Sequence, residues 1–446
     1  MMRKIILMLA LIPIVVAACV KRSNPPPPTS TSVSLPSRVQ LSDYQLLAPE
    51  DMRADLNELF TKLELTHPNL YANRPKNEVD INRRRLYDEL NQPLTIIDFY
   101  LKVAPLVESL GDKHTRILLP GVIYSKELFF PFYIKFFGQR VAANNYSGIL
   151  DIPSKAELLS INGTSIPALL NDLSPYQFSK NSFSITLWFY SGSLPEYQVE
   201  FLNSGATTPV RYQVHGMTAE AIRTEVTLSS QPLEDFNYQT LPNSDIGVMT
   251  INTFNGGPGQ YLEAAFTQIK QDHVQHLIID IRGNEDGMYN QVDSVMAYLT
   301  NLAYKQCSVR YERFVNKPDT PTETFECDLI QPPDRPSRFQ GDIYLLIGPD
   351  TFSAAITFAT ILQDYKLATL VGEETEDKAS YCAWVSDPIT LSHTHLQYTY
   401  SSSCYVRPDG IIDNNGVIPD AIVRTTIDDY IAGRDPVLAK VIDLIR

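Results

Sequence analysis

From Pro49 onward, the apolar residues Met52, Leu56, Leu59, Phe60 and Leu63 recur at intervals of three and four, the spacing of one helical face, and Glu78 to Leu90 repeats the pattern. Thr95 with Asp98 resembles a capping box opening a third helix, with Phe99, Val103, Leu106, Val107 and Leu110 as its buried stripe and Gly111 as its stop. Residues 46–119 thus read as a helical unit. Between 120 and 220 the helical period gives way to aromatic and β-branched runs such as Leu128 to Phe137 and Tyr197 to Phe201, which predict a β-rich region. Within it, Ala156 to Ala168 reads as a strand, a turn at Asn162-Gly163 and a helix start. Residues 221–446 alternate: strands over Ile246–Thr253, Gln275–Ile281, Asp342–Ile347 and Ala368–Gly372, with helices from Gln260, Tyr289 and Thr351. Continuous apolar runs such as Leu277-Ile-Ile279 fit parallel strands covered on both faces, so this part is predicted to be α/β.

The chain has 446 residues, of which 44% are hydrophobic, enough for a packed core and too many for wholesale disorder. A formal charge of −14 with no Lys/Arg block would repel a phosphate backbone, which excludes nucleic acid and leaves peptides or small molecules as partners. Arg3-Lys4, an apolar run from Ile5 to Val16 and small residues before Cys19 have the layout of a secretory signal over residues 1–18. A cysteine directly after the cut resembles a bacterial lipobox, which implies lipidation of Cys19 and a lipid anchor in the membrane. Val20 after that cysteine points to an outer-membrane lipoprotein facing the periplasm, and residues 19–45, rich in Pro, Ser and Thr, read as its tether. In such an oxidising compartment Cys307, Cys327, Cys382 and Cys404 are disulfide candidates, with Cys307–Cys327 and Cys382–Cys404 favoured for closeness in sequence over free buried thiols.

Two strand-to-helix turns carry candidate chemistry. Asp280-Ile-Arg-Gly-Asn-Glu-Asp-Gly287 is a glycine-bearing turn whose backbone N–H groups suit an anion or oxyanion. Gly348-Pro-Asp-Thr-Phe-Ser-Ala-Ala355 sets Ser353 in the first turn of a helix, beside the N–H of Ala354, although Ser353 or Thr351 as a plain helix cap fits the same pattern. His393 and His395 share one face of an expected strand with no further ligand evident, so no metal site is assigned, and nothing implies a cofactor.

The order Asp280-Ile-Arg-Gly-Asn, Thr351-Phe-Ser-Ala-Ala, Val371-Gly-Glu-Glu-Thr375 and Asn415-Gly-Val-Ile-Pro-Asp420 resembles the carboxyl-terminal processing (tail-specific) proteases, family 41 of the serine peptidases. Upstream, Thr66-His-Pro-Asn-Leu70 and Gly111-Asp-Lys-His-Thr115 extend the resemblance to lipoprotein and tricorn-like relatives. It implies a ClpP/crotonase-like α/β catalytic domain and peptide or unfolded protein substrates, while the segment Ala156–Ala168 with its Asn162-Gly163 turn itself resembles part of a PDZ domain, an ordinary hairpin being the competing reading. It further implies Ser353 as nucleophile, with Ala354 and Gly287 as the oxyanion hole. Two residues compete as base. Lys378 stands 25 residues beyond Ser353, the spacing of Ser–Lys members, and is taken first; its acidic, polar setting favours the charged form that is no base. His114, as in tricorn-like relatives, needs little tuning and is taken second, with Asp409 or Asp413 to orient it. Glu285-Asp286 and Glu376-Asp377 stand where relatives carry glycines, and a carboxylate beside an oxyanion hole would oppose developing charge. The expectation is therefore a periplasm-facing lipoprotein serine peptidase acting through an acyl-enzyme on Ser353, with a degenerate peptide-binding or scaffold lipoprotein as the alternative.

Overall fold

The computed structural model describes residues 46–118, 120, 128–145, 155–173, 194–203, 205–218, 220–222, 236–255, 259–313, 321–385, 387–412 and 414–446. The signal, Cys19, the tether and Asp413 lie outside the described residues, and no described helix is long and apolar enough to cross a membrane.

Helices α1 (Pro49–Thr66), α2 (Lys76–Glu89) and α3 (Ile96–Glu108) form where the apolar spacing predicts them. Pro49 opens α1, where its missing N–H costs nothing, and Thr95 Oγ1 caps α3 by accepting the Asp98 N–H at 3.1 Å. Their core is not self-contained, because Leu391, Leu396, Tyr398 and Tyr400 from near the C-terminus fill it. The hairpin that brings these residues, Ile389–Thr390 with Gln397–Thr399, pairs with Arg116–Ile117 just after α3. Asp55, buried in α1, accepts the N–H groups of His393 (3.1 Å) and Thr394 (2.6 Å) at the hairpin tip. His393 and His395 thus occupy a turn, with His395 at φ 59°, and the expected shared strand face does not exist.

The middle region is an antiparallel sheet of β1 (Phe132–Phe137), β2 (Arg140–Asn145), β3 (Lys155–Ile161), β4 (Glu196–Leu202) and β5 (Val210–His215), in the order β5-β4-β3-β2-β1. After β3, Asn162 and Gly163 both take positive φ (50° and 80°) in the tight turn that leads, through Thr164–Ser165, into α4 (Ile166–Leu173). Phe130, Phe132, Leu158, Tyr197 and Phe201 fill its core.

The C-terminal region is built on β6 (Phe236–Thr240), β7 (Ile246–Ile251), β8 (His276–Asp280), β9 (Asp342–Ile347), β10 (Thr369–Gly372) and β11 (Ala421–Ile422), adjacent in that order. Only β6 is antiparallel; β7 to β11 run parallel. Alternate residues of one strand enter different cores, as the pleat requires: Leu277 and Ile279 pack with α5 (Gly259–Gln271), α6 (Tyr289–Met296) and α7 (Ala354–Asp364). Ile278 instead joins Val437 and Val441; these belong to α9 (Pro436–Ile445), which follows the short α8 (Ile427–Ile431). A second antiparallel sheet runs Glu323–Glu326, Val309–Glu312, Ser401–Val406, Tyr381–Val385. Disulfides join Cys307 to Cys327 (Cα–Cα 5.6 Å) and, directly across two strands, Cys382 to Cys404 (3.8 Å), the two pairs favoured from sequence.

Candidate active site

The neighbouring strands β8 and β9 end side by side, so the turns that follow them, Asp280–Gly287 and Gly348–Ser353, open at the same C-terminal edge of the sheet, where α/β folds place their ligands. Arg282 braces the first turn, with Nη2 2.6 Å from Asp280 Oδ2 and Nη1 and Nη2 at 2.9 and 2.7 Å from the carboxylate of Asp435, the cap of α9. Asn284, fully buried, donates to the Ile251 carbonyl at 3.1 Å, and its own carbonyl accepts the Phe352 N–H at 3.0 Å, which ties the two turns together. Gly287 sits at φ +135° with its backbone against Phe254; a Cβ there would lie 2.2 Å from Phe254 Cβ, so only glycine fits.

The helix expected from Thr351 starts at Ala354, because Thr351 Oγ1 is engaged in the turn itself, accepting the Gly348 N–H and donating to the Ile281 carbonyl, both at 3.1 Å. Ser353 precedes the helix at φ 57°, ψ −120°, a strained conformation for a residue with a Cβ, and its side chain makes no capping bond. This is the geometry that thrusts a hydroxyl out of a strand–turn–helix elbow. The Tyr381 hydroxyl holds the strained turn by donating to the Ser353 carbonyl at 2.8 Å, and it also meets Thr357 Oγ1 at 2.8 Å. Among the described residues the N–H groups of Ala354 and Gly287 take no partner, which leaves them free to receive an anion.

His114 reaches Ser353 from the helical unit. The segment after α3 is pinned to the C-terminal hairpin, with Thr399 Oγ1 donating to the His114 carbonyl and Ser401 N–H to Thr115 Oγ1, each at 3.1 Å. The imidazole stacks on Phe352, ring centroids 4.5 Å apart, and Nε2 lies 3.3 Å from Ser353 Oγ. Its Nδ1 lies 4.0 Å from Asp112 Oδ1. With the residue only 5% exposed, burial pushes the imidazole down to about 4, against the pull of the Asp112 charge, so it is neutral near pH 7. Asp112 accepts from His114 N–H (3.0 Å), Thr115 Oγ1 (2.5 Å) and His67 Nε2 (3.0 Å). Burial opposes its ionisation, yet these bonds, the His67 bond foremost, hold it down at about 2.

The structure brings Ser353, His114 and Ala354 together, while Lys378 Nζ is engaged by two asparagine side chains. It donates to Asn414 Oδ1 at 2.7 Å and to the side-chain Oδ1 of Asn73. Asp409 accepts the Ile411 N–H at 2.8 Å and pairs with Arg407 at 3.4 Å, and so serves its own loop. Asp286, set against the oxyanion turn in sequence, directs its carboxylate to Thr253 and to Asn255 Nδ2 (2.8 Å). Glu376 pairs with Lys113 at 3.3 Å, while Asp377 folds inward, where burial pushes it up to about 7. Asp112 and His67 lie in the segments Gly111-Asp-Lys-His-Thr115 and Thr66-His-Pro-Asn-Leu70 but carry no part assigned from sequence, and Tyr381 lies outside every motif read there. Asp112, two positions before His114, was the readable signal, since an aspartate there can turn its side chain back onto the chain.

A strained serine elbow, a neutral buried histidine on its hydroxyl and free N–H donors define a serine-hydrolase type of site. Residues 245–423 match the family model Peptidase family S41. A relative in Staphylococcus epidermidis (strain ATCC 35984), named "Probable CtpA-like serine protease", is 22% identical over 184 residues, 41% of this chain and 34% of the relative. One in Staphylococcus aureus (strain N315) with the same name is 23% identical over 183 residues, 40% and 34% of the two chains. The match therefore spans about a third of the length of these curated relatives. Among solved structures, mature CPAF superposes with a TM-score of 0.64 at 14% identity, covering 89% of this chain and 96% of that one. CPAF complexed with lactacystin gives 0.65 at 14% identity, with 89% and 97% coverage, and both show that the fold is shared.

Proposed function

We propose that this chain is a serine peptidase that hydrolyses peptide bonds of protein substrates through an acyl-enzyme on Ser353. The observation that carries the proposal is the 3.3 Å approach of His114 Nε2 to Ser353 Oγ, made across 239 positions of sequence at a strained elbow. His114 is the base and Lys378 is not, since Lys378 Nζ is engaged by the side-chain amides of Asn73 and Asn414 whereas His114 Nε2 meets the Ser353 hydroxyl. In the reaction His114 Nε2 takes the Ser353 proton as Oγ attacks the peptide carbonyl. The N–H groups of Ala354 and Gly287 receive the oxyanion, and Asp112 stabilises the imidazolium across 4.0 Å. His114 then protonates the leaving amine, and water, activated by the same nitrogen, hydrolyses the ester. The side chain of Asp286 is engaged by Thr253 and Asn255 Nδ2.

The finer reading is a bacterial lipoprotein anchored through Cys19 and facing the periplasm; the signal, the lipobox-like cysteine and the tether support it. In this reading the C-terminal α/β region is the ClpP/crotonase-like catalytic domain, and the middle sheet is a PDZ-like module that docks substrate peptides by strand addition. The test follows digestion of an unfolded protein by the purified full chain in detergent, beside Ser353→Ala and His114→Ala. Cleavage by the unmutated chain alone supports the proposal; cleavage by Ser353→Ala at the same rate refutes it, and peptide binding without cleavage by any chain marks a binding protein instead.

A further inference from the structure

His67 is a buried histidine that the proposed mechanism does not use. It is 2% exposed at the end of α1, in the segment Thr66-His-Pro-Asn-Leu70. Its Nδ1 accepts the Asn69 N–H at 3.0 Å, so the ring proton sits on Nε2 and points at Asp112 Oδ2, 3.0 Å away. Asp112 Oδ1 is the oxygen that takes the His114 N–H and faces His114 Nδ1. The two carboxylate oxygens are thus divided, one held by His67 and Thr115 and one offered to His114. Without the His67 bond, Thr115 alone would restrain Oδ2, and a carboxylate free to rotate loses its aim at the imidazole.

We propose that His67 is a positioning residue for hydrolysis: by donating from Nε2 it fixes the Asp112 carboxylate toward His114, so that Ser353, His114, Asp112 and His67 act as one hydrogen-bonded and charge-coupled chain. This rests on the serine peptidase reading of the same site. Lys113 and Arg116 also act on His114, both lowering its proton affinity, and against them the aimed Asp112 charge, ahead of a backbone hydrogen bond at Cys382, favours the imidazolium in the transition state. A histidine is suited to this place because one nitrogen is satisfied by local backbone, which fixes the tautomer that makes the other a donor.

The test compares His67→Phe, which keeps a ring and removes the donor, with His67→Gln, whose amide nitrogen reaches about as far as Nε2 and still donates. Both are measured in the full chain for kcat and KM on a peptide substrate, with melting temperature as control. The inference expects kcat to fall about tenfold or more in His67→Phe with KM within about twofold, and His67→Gln to keep kcat within about threefold. His67→Phe at the unmutated kcat, or His67→Gln as impaired as His67→Phe, overturns it, the second result marking a packing role. Should His67→Phe not fold, nitrogen-15 NMR of the unmutated chain decides: protonation at Nε2 is required, and protonation at Nδ1 overturns the inference. Failure of the peptidase reading looks different, since the unmutated chain and Ser353→Ala then behave alike and the inference falls with it.

Discussion

Asp112→Asn isolates the electrostatic part of the mechanism, because the amide keeps the size of the side chain and an acceptor for the His114 N–H while removing the charge. At 4.0 Å a unit charge interacts with a developing imidazolium by roughly 4 kcal/mol at an effective dielectric of about 20. The amide dipole returns part of this, so about 3 kcal/mol of transition-state stabilisation is lost, a fall of about 10²-fold in kcat/KM. The pH profile supplies an independent sign. His114 must be neutral to accept the serine proton, and burial holds it at about 4, so the unmutated rate is present above that pH and is lost as pH falls through it. Removing the Asp112 charge withdraws the larger of the influences that favour the imidazolium, so the acid limb moves to still lower pH while the plateau drops. Inactivation by a fluorophosphonate and peptide hydrolysis, each followed from about pH 3 to 8, read both quantities. A folded Asp112→Asn chain within threefold of the unmutated plateau, or with its limb moved upward, would refute the role given to Asp112.

Tyr381→Phe removes the donor to the Ser353 carbonyl and is expected to lower kcat about tenfold while peptide binding changes little, checked by a kcat and KM comparison. Asp377, buried and raised to about 7, is ionised at a cost to the fold: the stability it allows is full below its ordinary 3.8 and is lost as pH rises through about 7. Denaturant titration should therefore find Asp377→Asn more stable than the unmutated chain at pH 8, by up to about 4 kcal/mol, and level with it below pH 4. Opening the Cys307–Cys327 loop, with its sequence separation of 20, by replacing both cysteines with serine should lower stability by about 3 kcal/mol, read as a drop in melting temperature under oxidising conditions.

What the sequence made legible follows from local physics. The apolar stripes of α1 and α3, the buried runs of β8 and β9 and the positive-φ pair Asn162-Gly163 are each dictated by periodicity or by turn chemistry within a dozen residues. The start of α7 was misplaced because Thr351 looks like a cap but spends its hydroxyl on Gly348 and on Ile281, a partner 70 positions away. His393 and His395 were misread for a similar reason, since the tip they occupy is fixed by Asp55 from 338 positions upstream. The choice of base was hidden in the same way. Spacing along the chain put Lys378 at the right interval from Ser353, whereas His114 arrives only because Arg116–Ile117 pairs with Gln397–Thr399 and carries the imidazole over the elbow. The asparagines that hold Lys378 come from Asn73 and Asn414, remote from it and from each other in sequence.

The central claim is that Ser353 is activated by His114. Labelling the full chain with a fluorophosphonate, followed by intact mass and peptide mapping, tests this most directly in the unmutated protein, Ser353→Ala, His114→Ala and Lys378→Ala. We predict a single adduct on Ser353 in the unmutated chain and in Lys378→Ala at similar rates, none in Ser353→Ala, and labelling slowed by about 10²-fold or more in His114→Ala. An adduct on another residue, or labelling abolished in Lys378→Ala and retained in His114→Ala, would contradict the account.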